Sequence, residues 1–201
     1  MVKMAVDVVL LPSEQMTNKA IQANSRLFNQ CADQIILDKE KCLPHVSLAM
    51  GCIDKKDIEC IGKILQTIAL KYPPGQLSII GINTTTNSLG EKVSAFELKK
   101  TKKLQSLHEE VMRRTAPYFG YDVRAEMVLS PPMAGKSTLL WIKNYPEKSA
   151  FENFFPHITI GYGQTDDFLL PATFTAAKIA LCHLGNHCTC RKLLTAAELT
   201  N

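Results

Sequence analysis

Two periodicities of apolar residues run along the chain. Residues 4–11, MAVDVVLL, form a Val- and Leu-rich run that stops at Pro12, the pattern of a buried strand. Ser13 then stands where a helix N-cap would, and Met16, Ala20, Ile21 and Leu27 recur at near-helical spacing through residues 13–33. The alternation repeats in kind. CLPHVSLAMGCI (42–53) reads as a strand, and residues 54–72, with Ile58, Ile61, Leu65 and Ile68 on one stripe, read as a helix. After the YPPG breaker at 72–75, QLSIIGINTTTN and KVSAFELKK flank SLGE (88–91), which predicts an antiparallel hairpin. Residues 101–119 predict a third helix, and 133–154 a fourth, interrupted near Pro146. PHITIGYG, TAAKIALCHLG and HCTCRKLLTAAEL each contain a further strand. There is no repeat of roughly 20 to 50 residues, no low-complexity tract and no long linker. The pattern predicts an α+β fold with mixed or antiparallel sheets.

Composition adds limits. With 201 residues and 46% hydrophobic content, the chain can bury a substantial core as one large domain or two closely packed lobes. A formal charge of +4 suits an anionic substrate but falls short of a nucleic-acid coat. Asp7 breaks the N-terminal apolar run and no small-residue cleavage site follows, so no signal peptide is expected, and no segment has the length of a spanning helix. Seven cysteines, an odd number without regular spacing, read as free thiols in a reducing cytoplasm.

The chemistry lies in two matched stretches. LPHVSLAM places His45 after Pro44 with Ser47 two residues on, and FPHITIGY places His157 after Pro156 with Thr159 two residues on. Two of the five histidines thus carry the same flanks. On a strand, residues i and i+2 share a face, so each stretch presents an imidazole beside a hydroxyl. Two such strands facing each other would surround a phosphodiester. A neutral imidazole could take a proton from the attacking group and a protonated one could give a proton to the leaving oxygen. The hydroxyls of Ser47 and Thr159 could donate to the non-bridging oxygens. No metal or cofactor is required. The competing readings are core histidines at strand ends and hydroxyls bonded only to backbone.

Other motifs carry less. MAGKST (133–138) would need glycine at position 130 to complete a phosphate-binding loop, and Ser130 stands there, followed by Pro131 and Pro132. His183, His187, Cys188 and Cys190 fit no common zinc spacing and read as a turn with buried thiols. His108 reads as a helix-surface residue, and the lysines of KKTKK (99–103) as a solvated cluster at a helix start. Tyr162, between Gly161 and Gly163, is a candidate base-stacking residue. Strict alternation puts it opposite His157, so this role needs a bulge.

The stretches HVSL and HITI resemble the paired H-x-[ST]-φ motifs of the 2H phosphoesterase superfamily, which includes 2'-5' RNA ligases and RNA 2',3'-cyclic phosphodiesterases. The order of elements resembles that family over most of the chain. The resemblance implies a single bilobal domain over 1–201, with two mainly antiparallel sheets, outer helices, a pseudo-twofold duplication and a central cleft. It implies catalytic His45 and His157, phosphate-binding Ser47 and Thr159, and no metal. The family's assignment makes His45 the donor and His157 the acceptor, and the residues themselves leave that order open. The expected substrates are RNA ends, oligonucleotides or small cyclic nucleotides, and the expected enzyme is cytoplasmic and monomeric. Hydrolysis is the primary reading, and the alternative is a non-catalytic RNA- or nucleotide-binding module on the same fold.

Overall fold

The computed structural model describes residues 3–27, 35–73, 75–86, 90–165 and 172–199. Strand β1 (Lys3–Pro12) leads to helix α1 (Glu14–Ser25), then β2 (Val46–Asp54), α2 (Ile58–Lys71), the pair β3 (Gly75–Thr86) and β4 (Lys92–Leu98), and α3 (Lys102–Thr115). Helix α4 (Lys136–Lys148), β5 (His157–Tyr162), β6 (Ala172–Leu184) and β7 (Cys190–Glu198) follow. Ser13 precedes α1 as expected, but makes no side-chain cap bond; its carbonyl accepts from Thr17 N at 2.9 Å. The end of the helical pattern expected there, residues 28–33, lies outside the described residues. Thr101 caps α3 through its side chain, which accepts from Leu104 N at 3.2 Å. Pro146 lies within α4 rather than interrupting it. It falls in the last turn, where the helix has few further bonds to lose. The β3–β4 pair is antiparallel as predicted, while residues 87–89 of its connection lie outside the described residues.

All strand pairs are antiparallel, in the order β2-β1-β6-β3-β4-β5 with β7 also on β6. The antiparallel α+β architecture read from the sequence is present, with the two expected sheets joined into one ladder. β6 makes the joint because its 13 residues are long enough for several partners. Its Ala172–Ala176 end pairs with β3, its Lys178–Leu184 end pairs with β7, and β1 pairs along Ala176–His183. The apolar stripes face inward as the periodicities require: Ile61, Leu65 and Ile68 of α2 are fully buried, as are Val6 and Val8 of β1. Although β2 and β5 stand at opposite ends of the ladder order, they approach each other in space.

The cysteines depart from the free-thiol expectation. Cys182 of β6 and Cys190 of β7 form a disulfide, with Cα atoms 5.6 Å apart. Bulges between Leu181 and Cys182 and between His183 and Leu184 shift the β6–β7 register, which brings together two residues that a regular ladder would not pair. Cys42, Cys52, Cys60 and Cys188 are free. The inference of a reducing compartment from thiols alone therefore loses its premise.

Candidate active site

Each of the two proline-histidine stretches folds in the same way. His45 stands one residue before β2, and His157 opens β5. The Nδ1 of His45 lies 2.8 Å from the carbonyl oxygen of Leu43, and that of His157 lies 2.8 Å from the carbonyl of Phe155. In both, the acceptor belongs to the residue before the proline. A carbonyl can only accept, so each ring carries its proton on Nδ1 and leaves Nε2 as the basic nitrogen. The matched prolines thus have a physical counterpart: a fixed φ at Pro44 and Pro156 restrains the short segment that sets carbonyl i−2 against the ring.

The approach of β2 to β5 brings the two rings within electrostatic reach. Burial pushes His45 down to about 4, and the charge of His157 pushes in the same direction. His157 is also lowered by burial, against the opposing pull of its Phe155 carbonyl. Both rings are therefore neutral at pH 7 in the empty site. A bound anion would reverse this, because a nearby negative charge favours the protonated ring.

The hydroxyls are less alike. Thr159 is partly buried, and its side chain makes no protein hydrogen bond among the described residues. Ser47 Oγ lies 2.5 Å from Asp7 Oδ2, on the neighbouring strand β1. Asp7 is fully buried, and its Oδ2 is also 3.9 Å from His45 Nε2. In the sequence, Asp7 stands out only as an interruption of an apolar run. An acidic residue in the middle of an apolar strand, beside Ser47 and His45, is the signal that singles it out.

Tyr162 meets the condition set for it. A bulge falls in the β4–β5 register between the pairs Ser94–Gly161 and Ala95–Thr159, so the alternation breaks before Tyr162. The ring is 7% exposed and packs edge-on against His187, with its hydroxyl 2.8 Å from His187 Nδ1. The glycine before it is required by a close approach. Gly161 has φ +152°, and a Cβ there would fall 2.8 Å from Nδ2 of Asn24, which donates to the carbonyls of Ile160 and Ile35.

His108 is not the surface residue expected. It is fully buried, stacked on Phe154 with ring centroids 4.0 Å apart. Its Nδ1 donates to Leu48 O at 2.7 Å, and its Nε2 accepts from Phe151 N at 2.7 Å. It ties the strand following His45 to the segment leading into His157. The signal is present in the sequence, since Leu104, Leu107, His108, Val111 and Met112 are spaced as one helical stripe and all five are buried. The remaining histidines and cysteines of CHLGNHCTC have separate contacts. His183 Nε2 lies 3.0 Å from Met127 O, His187 faces Tyr162, and Cys190 is in the disulfide. Of the KKTKK lysines, Lys100 donates to Glu152 O at 2.9 Å.

No protein-family model and no curated protein matches the sequence. Solved structures do match over the full length. TT0787 of Thermus thermophilus aligns with a TM-score of 0.63 at 14% identity, covering 98% of both chains. E. coli LigT complexed with NADP+ aligns at 0.60 and 13%, covering 99% of both. A structure described as a phosphoesterase aligns at 0.58 and 13%, covering 98% of this chain and 99% of its own. The chain has the LigT fold. E. coli LigT has also been solved with ATP, with 3'-AMP and with phosphate. Among the described residues, no helix is long and apolar enough to cross a membrane.

Proposed function

We propose that the chain is a metal-independent phosphodiesterase of the 2H type. It acts on RNA or nucleoside 2',3'-cyclic phosphates, or on 2'-5' linkages, with His45 and His157 as the acid and base. The observation that carries this reading is the matched pair of Nε2 atoms. Each is left basic by an Nδ1 bond to a carbonyl, and the two sit at the starts of strands that approach each other. The LigT fold supports it, as do the nucleotide and phosphate complexes of E. coli LigT.

The phosphate anion raises the affinity of both rings for a proton, and one of them takes it up. The neutral imidazole removes a proton from water as the water oxygen attacks phosphorus. The imidazolium donates its proton to the departing 2' or 3' oxygen, so the pair ends with its protonation states exchanged. Ser47 and Thr159 donate to the non-bridging oxygens as negative charge grows there. Tyr162 is a secondary candidate for contact with the base, held in place by His187.

A panel of nucleoside 2',3'-cyclic phosphates and 2'-5' oligonucleotides, assayed in EDTA with wild type, His45→Ala and His157→Ala, tests the proposal. The expected result is turnover by wild type and heavy loss in both variants. Full activity in either variant overturns the acid–base assignment. Tight nucleotide binding without turnover on any member of the panel replaces the enzyme with a binding module.

A further inference from the structure

The two hydroxyls of the site are not equivalent, and the difference lies in Asp7. A carboxylate at this position is poorly accommodated. The residue is fully buried, its Oδ1 has no hydrogen-bond partner among the described residues, and the side-chain neighbours of Oδ2 are Ser47 Oγ at 2.5 Å and His45 Nε2 at 3.9 Å. As long as the carboxylate is ionised, Ser47 must donate to it. The Ser47 oxygen then offers only lone pairs to an arriving phosphate, and a negative charge stands behind it.

We propose, resting on the phosphodiesterase reading above, that Asp7 is a positioning residue: protonated on Oδ2, it donates to Ser47 Oγ and so commits the Ser47 proton to an oxygen of the bound phosphate. Burial pushes the Asp7 carboxyl up to about 8, against the pull of the Ser47 hydroxyl and the Ala49 amide, so the neutral form dominates at pH 7. The groups facing it keep it that way. On the β2 side, these are Ser47 and His45, the latter neutral when the site is empty. Tyr145 of α4 and Cys188 of the turn before β7 both feel the Asp7 charge and are themselves pushed up by burial, so they stay neutral too. Cys182, the β6 partner of Asp7 in the ladder, is in the disulfide and does not titrate. The neutral carboxyl thus acts as a fixed donor behind the serine. Thr159 has no such partner among the described residues and can turn its proton to the phosphate at any pH.

The probe is sulfate, which stays a dianion across the range and is not hydrolysed. Its affinity is measured by calorimetry from pH 6 to pH 9 for wild type, Asp7→Asn and Ser47→Ala. The Asn side chain carries a permanent donor and cannot ionise. Protonation of His157 contributes alike to all three slopes, and His45, 3.9 Å from Asp7, titrates together with the carboxyl, so the difference between wild type and Asp7→Asn reports the carboxyl and its hold on His45. Wild type is expected to lose about tenfold more affinity than Asp7→Asn between pH 7 and pH 9, because about nine-tenths of a group titrating near 8 is ionised at pH 9. Ser47→Ala is expected to bind more weakly at pH 7 and to converge on wild type at pH 9. Parallel slopes in wild type and Asp7→Asn overturn the proposal. Carbon NMR of the Asp7 carboxyl in wild type gives an answer that needs no variant to fold: titration above pH 7 supports the proposal, and titration below pH 5 overturns it. These readouts need no turnover. A panel without hydrolysis removes the catalytic function and leaves the Asp7–Ser47 switch to stand or fall on sulfate.

Discussion

The first and second histidine stretches share a sequence pattern and a local fold, but not their surroundings. His45 is 13% exposed in its side chain and has a buried carboxyl 3.9 Å from Nε2, with a serine bonded to the same carboxyl. Near His157 stands the half-exposed ring of Phe155, with ring centroids 5.8 Å apart, and a threonine whose hydroxyl has no protein partner among the described residues. The pattern P-H-x-[ST] goes with the same Nδ1 bond in both stretches and so the same free Nε2. The neighbouring strands decide how readily each atom holds a proton. Equal motifs can therefore play unequal parts, and the asymmetry between them is open to experiment.

The largest test removes each ring in turn. His45→Ala and His157→Ala are each expected to lower kcat/KM by about 10²- to 10⁴-fold on a cyclic phosphate. Both rings are depressed, so the acid limb of the wild-type kcat/KM profile should fall below the ordinary histidine range, about pH 6.5: the base is lost only when pH drops through its lowered pKa. An acid limb above that range would contradict the burial of both rings. The hydroxyls sharpen the contrast. Thr159→Ala should cost about 100-fold in kcat at both pH 7 and pH 9. Ser47→Ala should cost a similar factor at pH 7 and much less at pH 9, where wild-type Ser47 already donates to Asp7 instead. Equal pH dependence in the two variants would make the two regions alike after all.

His108→Ala addresses what holds the regions together. It leaves Leu48 O and Phe151 N without their partner in a buried setting, an expected cost of about 3 kcal/mol in urea unfolding. Loss of the disulfide should be smaller and one-sided. Cys182 and Cys190 are 8 residues apart. Closing so short a loop contributes about 2.5 kcal/mol in the chain-entropy account, so Cys182→Ala with Cys190→Ala should lose about that much. Leu43 N donates to Cys190 O at 2.9 Å, and Leu43 O holds the His45 ring. Imidazole resonances of His45 should therefore move in that variant while those of His157 stay in place.

The strands, the helices and the two histidine stretches are readable in the sequence, because each rests on local periodicity or on a short run of neighbouring residues. What escapes such reading depends on contacts across the chain. The Cys182–Cys190 bridge depends on two register shifts that no local pattern encodes. The bonds of His108 join residues 60 and 43 positions away. Its place on the apolar stripe is visible, but a histidine's polarity argues for the surface until the two bonds that satisfy it are seen. Asp7 is visible as a polar residue among Val and Leu, yet only its neighbour Ser47, 40 positions on, gives it a part in the site.

The long strand β6 has a consequence for how the protein is made. β1 leaves the ribosome long before β6, which carries its inner-edge partners, with Val8 opposite Leu181. Until that stretch emerges, β1 and the β3–β4 pair each present an unpaired edge, and the nascent chain cannot close its sheet. Synthesis of the molecule must therefore outlast a long interval in which the edges of β1 and β3 are open to other chains, and holding factors that shield such edges would raise its yield in cells.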